Sequence, residues 1–206
     1  MFLLAGFIYT AGFLSQCGPN VSPATTLAII EVESGGNPLA IGDNNLKRSF
    51  SPGTKQEAVN LAADLIAQGH SVDLGLMQIN SKHLAPMKLS LEDVFDPCGN
   101  VRIGTTILTD FYHQHQTTDP ALSLFKALSA YNTGRAWKGT DYVNKILAAA
   151  GASYRISFGP LLEPAGRPLS AGKRKSGDGK RDGAVSPFFF SNLSTSLVAR
   201  KGRTGE

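Results

Sequence analysis

The chain has 206 residues, 42% of them hydrophobic and 17% charged, which is ample apolar material for one packed domain and excludes whole-chain disorder. Two Cys exclude a disulfide scaffold and a four-Cys zinc site, and 22 Gly without a three-residue period exclude a collagen-like chain. The net charge of +4 is unevenly placed: residues 1–154 carry 10 Lys/Arg against 12 Asp/Glu and residues 155–206 carry 10 against 4, so the folded part is mildly acidic and no nucleic-acid groove is expected.

Residues 1–16 form an apolar segment in which Met1 to Leu14 carries no charge. It is too short to cross a bilayer as a helix, and two readings stay open: a signal-like segment lacking a basic start, or a first core helix ending at Cys17. Gln16 before Cys17 is a poor lipoprotein cleavage signal. Ser22-Pro23 predicts an N-cap and first helical turn, with Leu27, Ala28, Ile30 and Val32 at helical spacing up to Ser34, and Gly35-Gly36-Asn37-Pro38 stops the helix. Thr54 and Glu57 form a capping box ahead of Ala58, Leu61, Ala62, Leu65 and Ile66, a single buried face closed by Gly69.

Val72 to Asn80 alternates as a strand does, which puts Leu76, Gln78 and Asn80 on one face and Met77 and Ile79 on the other. Asp96-Pro97 and Asp119-Pro120 repeat the cap-then-Pro signature. They lead helices with Val101, Gly104, Ile107, Leu108 and Phe111, then Leu122, Phe125 and Leu128, inward. A last helix is predicted over 140–150. The fold class expected is α+β, mainly α, with a β or irregular insert at roughly 37–90 inside a domain spanning 17–154. Residues 155–206 read as a basic, Gly/Pro-rich disordered tail with one apolar patch, Phe188-Phe189-Phe190.

Glu33 stands where an apolar helix gives way to a loop. A carboxyl partly buried there would hold its proton near neutral pH and serve as a general acid, whereas Glu31 points elsewhere and is expected in solvent. Gln78, Asn80, Tyr131 and Asn132 supply neutral donors and acceptors suited to sugar hydroxyls and acetamido groups. Each alone reads equally well as structural.

Taken in order, Glu-Ser-Gly-Gly-Asn-Pro (33–38), Gly-Leu-Met-Gln (75–78) and Ala-Tyr-Asn (130–132) resemble the three signature motifs of lytic transglycosylases with a goose-type-lysozyme-like (SLT) catalytic domain. Ser-Val-Asp-Leu-Gly-Leu-Met-Gln-Ile-Asn (71–80) and Phe-Asp-Pro-Cys (95–98) resemble the subgroup found with type IV secretion and conjugation systems. The resemblance covers about residues 14–150 and implies a lysozyme-like fold and cleavage of peptidoglycan glycan strands without a cofactor or metal. Glu33 matches the catalytic acid/base. Ser34, Gln78, Asn80, Tyr131 and Asn132 match positions that hold substrate or the Glu, and Met77 supports the groove wall.

The resemblance also implies a periplasmic location, type IV secretion components as partners through the tail, and a possible Cys17–Cys98 disulfide. The subgroup's further Cys near Asp110 and Ala130 are missing here. A hydrolytic muramidase stays open, because Asp43 or Asp73 could orient a water from the sugar's other face, although Asp43-Asn44-Asn45 reads equally as a turn. A non-catalytic, glycan-binding assembly factor is a third reading. His70, His83, His113 and His115 are not spaced as a metal set.

Overall fold

The computed structural model describes residues 9–157. The first eight residues and everything from Phe158, including the Phe188–Phe190 patch, lie outside the described residues.

Helix α1 (Ala11–Cys17) is capped by the Thr10 side chain, and α2 (Pro23–Ser34) begins on Pro23 with Ser22 at the expected N-cap position, though the Ser22 side chain makes no capping bond. The proline supplies the fixed φ and the missing N–H that a first turn tolerates. Burial on α2 covers Thr25, Thr26, Ala28, Ile29 and Ile30, nearly all round instead of along one stripe, because α1 packs on one side and α8 on another. Glu31 is half-buried, not solvated as expected.

Four short antiparallel strands follow in the spatial order β2-β1-β3-β4: β1 (Ile41–Asp43), β2 (Arg48–Phe50), β3 (Val72–Leu74) and β4 (Ile79–Asn80). Ile41 pairs with both Phe50 and Leu74, and Asp73 pairs with Asn80. The strand expected over 72–80 is therefore two strands joined by a turn at Gly75–Gln78, and Leu76 and Met77 are both fully buried rather than on opposite faces. Gly75 at φ +72° and Gln78 at φ +47° produce the reversal.

Between β2 and β3, α3 (Lys55–Ala67) carries the complete Thr54/Glu57 capping box. After β4 come a 3₁₀ turn (Ser81–His83), α4 (Leu84–Met87) and α5 (Leu91–Val94). The long α6 (Pro97–Gln114) and α7 (Pro120–Thr133) pack on each other, capped by the side chains of Asp96 and Asp119. α8 (Thr140–Ala149) closes the domain over α2 and α7.

Cys17 and Cys98 form a disulfide across 81 residues that fastens the end of α1 to the first turn of α6. Beyond α8, Asn144 grips the chain twice: Nδ2 donates to the Ile156 carbonyl at 3.0 Å and Oδ1 accepts the Ile156 N–H at 2.8 Å. These two bonds fasten the segment after Tyr154 to α8. Among the described residues no helix is long and apolar enough to cross a membrane.

Candidate active site

Gly35, left-handed at φ +60°, ends α2 and leaves Glu33 in its final turn. There Glu33 enters a cleft also lined by Asn44, Asp73, Gln78, Asn80, Lys82, His83, Tyr131 and Asn132, with Ile79 and Ile107 as its apolar part. Burial, with a smaller push from the Asp73 carboxylate, raises the Glu33 carboxyl to about 7, against the opposing pulls of the Tyr142 hydroxyl and Lys145. A carboxyl so poised gives up and retakes a proton near neutral pH.

Tyr142, on α8, donates its hydroxyl to Glu33 Oε1 at 2.6 Å. Burial and the neighbouring Glu33 hold that phenol well above its ordinary range, so it keeps its proton and remains a donor at neutral pH. Sequence reasoning missed it, because Tyr142 reads as one more apolar position of an amphipathic helix. Removing the hydroxyl in Tyr142→Phe should move the basic limb of the kcat/KM pH profile up by about one pH unit, since a bond favouring the ionised Glu33 is lost. An unmoved limb would remove Tyr142 from the site.

The Gly75–Gln78 turn is the hub that draws the other motif residues together. Ser34 Oγ donates to the Leu76 carbonyl at 2.8 Å, and Tyr131 Oη donates to the Met77 carbonyl at 2.8 Å. Asn100, 1% exposed on α6, accepts the Met77 N–H at 2.8 Å and donates to the carbonyls of Leu74 and Val94 at 2.9 and 2.8 Å. Two glycines allow the turn to seat on α6: a Cβ on Gly75 would stand 2.3 Å from Asn100 Nδ2, and one on Gly104 would stand 2.5 Å from the Met77 sulfur.

The expected substrate contacts therefore divide. Ser34 is not among the cleft-lining residues and joins α2 to the turn. Gln78 lines the cleft with its Nε2 given to the Gly75 and Ala40 carbonyls, while Asn132 is exposed on the rim and its side chain makes no hydrogen bond within the described residues. Asn80 Nδ2 donates to Asp73 Oδ1, and Asn44 Nδ2 donates to Asp73 Oδ2, each at 2.7 Å, so Asp73 is strapped at both oxygens on the cleft wall.

Asp43 is elsewhere. It is 3% exposed and accepts from the N–H groups of Asn45 and Leu46 and from His70 Nδ1 at 2.8, 2.9 and 2.7 Å, which makes it the anchor of a turn and removes it as a water-orienting acid. Among the described residues no group of three His, Cys, Asp or Glu could hold a metal ion.

A mainly helical domain with a small antiparallel sheet, and a buried carboxyl facing that sheet across a cleft, is an α+β fold of the lysozyme-like kind. The Transglycosylase SLT domain family matches residues 13–145, and the chain belongs to it. It is 36% identical over 141 residues to protein virB1 of Agrobacterium fabrum (strain C58 / ATCC 33970), covering 67% of this chain and 58% of that protein. To type IV secretion system protein virB1 of Brucella suis biovar 1 (strain 1330) it is 35% identical over 158 residues, 71% of this chain and 66% of that protein. Invasion protein IagB of Salmonella typhimurium (strain SL1344) is more distant, 28% identical over 160 residues, 76% of this chain and 82% of that protein. The chain thus spans about three fifths of the length of the virB1 proteins it matches. No solved structure matches it.

Proposed function

We propose that the chain is a peptidoglycan lytic transglycosylase that opens the cell wall locally, in the periplasm, for a type IV secretion or conjugation apparatus. The observation that carries this reading is Glu33, a carboxyl raised to about 7 inside a cleft that also presents four side-chain amides, Asn44, Gln78, Asn80 and Asn132. Glu33 donates its proton to the glycosidic oxygen as the bond from C1 of N-acetylmuramic acid to N-acetylglucosamine breaks. The resulting carboxylate accepts the proton of the muramoyl 6-hydroxyl as O6 closes on C1, which leaves a 1,6-anhydro end and restores the acid. Substrate supplies the nucleophile, so one titrating carboxyl suffices.

Asp73 supports a second reading. Two amide straps hold its carboxylate in the same cleft as Glu33, where it could orient a water and make the enzyme a hydrolytic muramidase. Mass spectrometry of the products from purified peptidoglycan decides between them: 1,6-anhydromuramoyl ends support the transglycosylase, reducing ends the muramidase, and binding without release the assembly factor. In the transglycosylase, Asp73→Asn should lower the rate without changing the type of end.

The tail's net positive charge suits attachment to anionic wall or secretion-complex surfaces. A chain ending at Ser157 keeps the Asn144 grip on Ile156 and should cleave soluble glycan at the full-length rate, yet sediment less with intact sacculi at low salt. Unchanged sedimentation would dismiss the tail as a targeting element.

A further inference from the structure

Lys82 is the one Lys or Arg among the residues lining the cleft. It is exposed, and its ammonium has no ion pair among the described residues, where the one such pair is His70 with Asp43. Asp73, on the same cleft wall, is held by amide N–H groups from Asn44 and Asn80 and makes no ion pair with Lys82. The imidazole of His83, beside Lys82, is pushed below its ordinary range by burial and then by Lys82 itself, against Asp73, so it adds no second cation at neutral pH. The backbone beneath Lys82 is fixed as well: its N–H donates to Asn80 Oδ1 at 3.1 Å, which ties the ammonium's root to the network that holds Asp73.

The sugar rings of a peptidoglycan strand offer neutral hydroxyl and acetamido groups, for which a cation has no particular use. The strand's anions hang from the muramoyl lactyl ether, either as the lactyl carboxylate itself where the peptide has been removed or as carboxylates of the stem peptide. We propose that Lys82 is a specificity determinant that pairs with a carboxylate carried on the muramoyl substituent, so that the cleft selects strands bearing that charge. This rests on the glycan-cleaving reading above and adds the substrate feature that the cleft selects.

Three strands test it: peptide-bearing glycan, amidase-treated glycan with a free lactyl carboxylate, and peptide-bearing glycan whose carboxylates are capped as methylamides with carbodiimide and methylamine. At low salt the wild type should favour at least one of the charged strands over the capped one by about two- to fivefold in kcat/KM, the range of an exposed ion pair. Lys82→Met should bring that ratio close to one, and Lys82→Glu should invert it. A preference confined to the peptide-bearing strand places the carboxylate on the peptide; an equal preference for the amidase-treated strand places it on the lactyl group. Equal cleavage of all three by the wild type, or a ratio retained by Lys82→Met, overturns the proposal. The same ratio read as strand-binding affinity on a Glu33→Gln background needs no cleavage, so absence of turnover would count against the transglycosylase while the role of Lys82 is still decided.

Discussion

Replacing Glu33 by Gln should leave a folded protein that still binds glycan, cleaves it at least a hundredfold more slowly, and is more stable than the wild type above neutral pH. The rate loss follows from removing the one cleft carboxyl poised near 7, general acid–base transfer being worth about 10²–10⁴-fold. The stability gain follows from linkage. With its folded value raised to about 7, native Glu33 keeps a proton that the unfolded chain has already lost over the interval from 4.5 upward, so wild-type stability falls as pH rises through that window. A displacement of that size is worth on the order of 3 kcal/mol for a wholly dry group, and the open cleft reduces it to about 1–2 kcal/mol. Gln cannot ionise and still offers an oxygen to the Tyr142 hydroxyl. Urea unfolding at pH 5 and pH 8 reads the effect: the two proteins should be close at the lower pH and separate at the higher one. Glu31→Gln, on the same helix but outside the cleft, should keep both turnover and the wild-type pH dependence. Wild-type turnover in Glu33→Gln, or a dead Glu31 variant, would relocate the chemistry.

The site is half legible in the sequence, because part of it is set by local signals and part by long-range packing. Caps are local, and Thr54 with Glu57, Asp96 with Pro97 and Asp119 with Pro120 announce their helices within four residues, as the structure bears out. Glu33 was legible for the same reason, since the helix end is written in Ser34-Gly35-Gly36. The sheet was not. Three-residue strands such as Ile41–Asp43 and Arg48–Phe50 are too short for a period to emerge, and the apparent alternation over 72–80 hides a turn made by two positive φ angles. For Asp43 against Asp73 the one local sign is the turn reading of Asp43-Asn44-Asn45, which leaves the choice open. Only the fold gives one a buried turn with His70 and the other a place in the cleft. Tyr142 meets Glu33 across 109 residues, a pairing set by how α8 lies on α2.

Asn100 ties the most backbone groups together through one side chain, and its removal should be strongly destabilising. Its side chain satisfies three buried backbone groups at once, the Met77 N–H and the Leu74 and Val94 carbonyls, and so fixes the 75–78 turn to α6. In Asn100→Ala each is left without its partner in a place water reaches poorly, at about 1–3 kcal/mol per group. Partial relaxation makes the expected total about 4 kcal/mol, a large share of the 5–15 kcal/mol that holds a typical domain together. For a domain of this size the thermal midpoint should drop by roughly 8–16 °C. Activity should suffer beyond the loss of folded protein, because the turn's carbonyls at Leu76 and Met77 are the acceptors for Ser34 and Tyr131. Gly75→Ala tests the same joint from the other side, forcing a Cβ to within 2.3 Å of Asn100 Nδ2 at a backbone φ of +72°. The two changes should therefore not add: once Asn100 is shortened to Ala, the clash with its amide is relieved, leaving the left-handed backbone and a tight 3.0 Å approach to the Val94 carbonyl. Full additivity in the double variant, or a loss below 1 kcal/mol in Asn100→Ala, would show that the turn is held by something other than this amide.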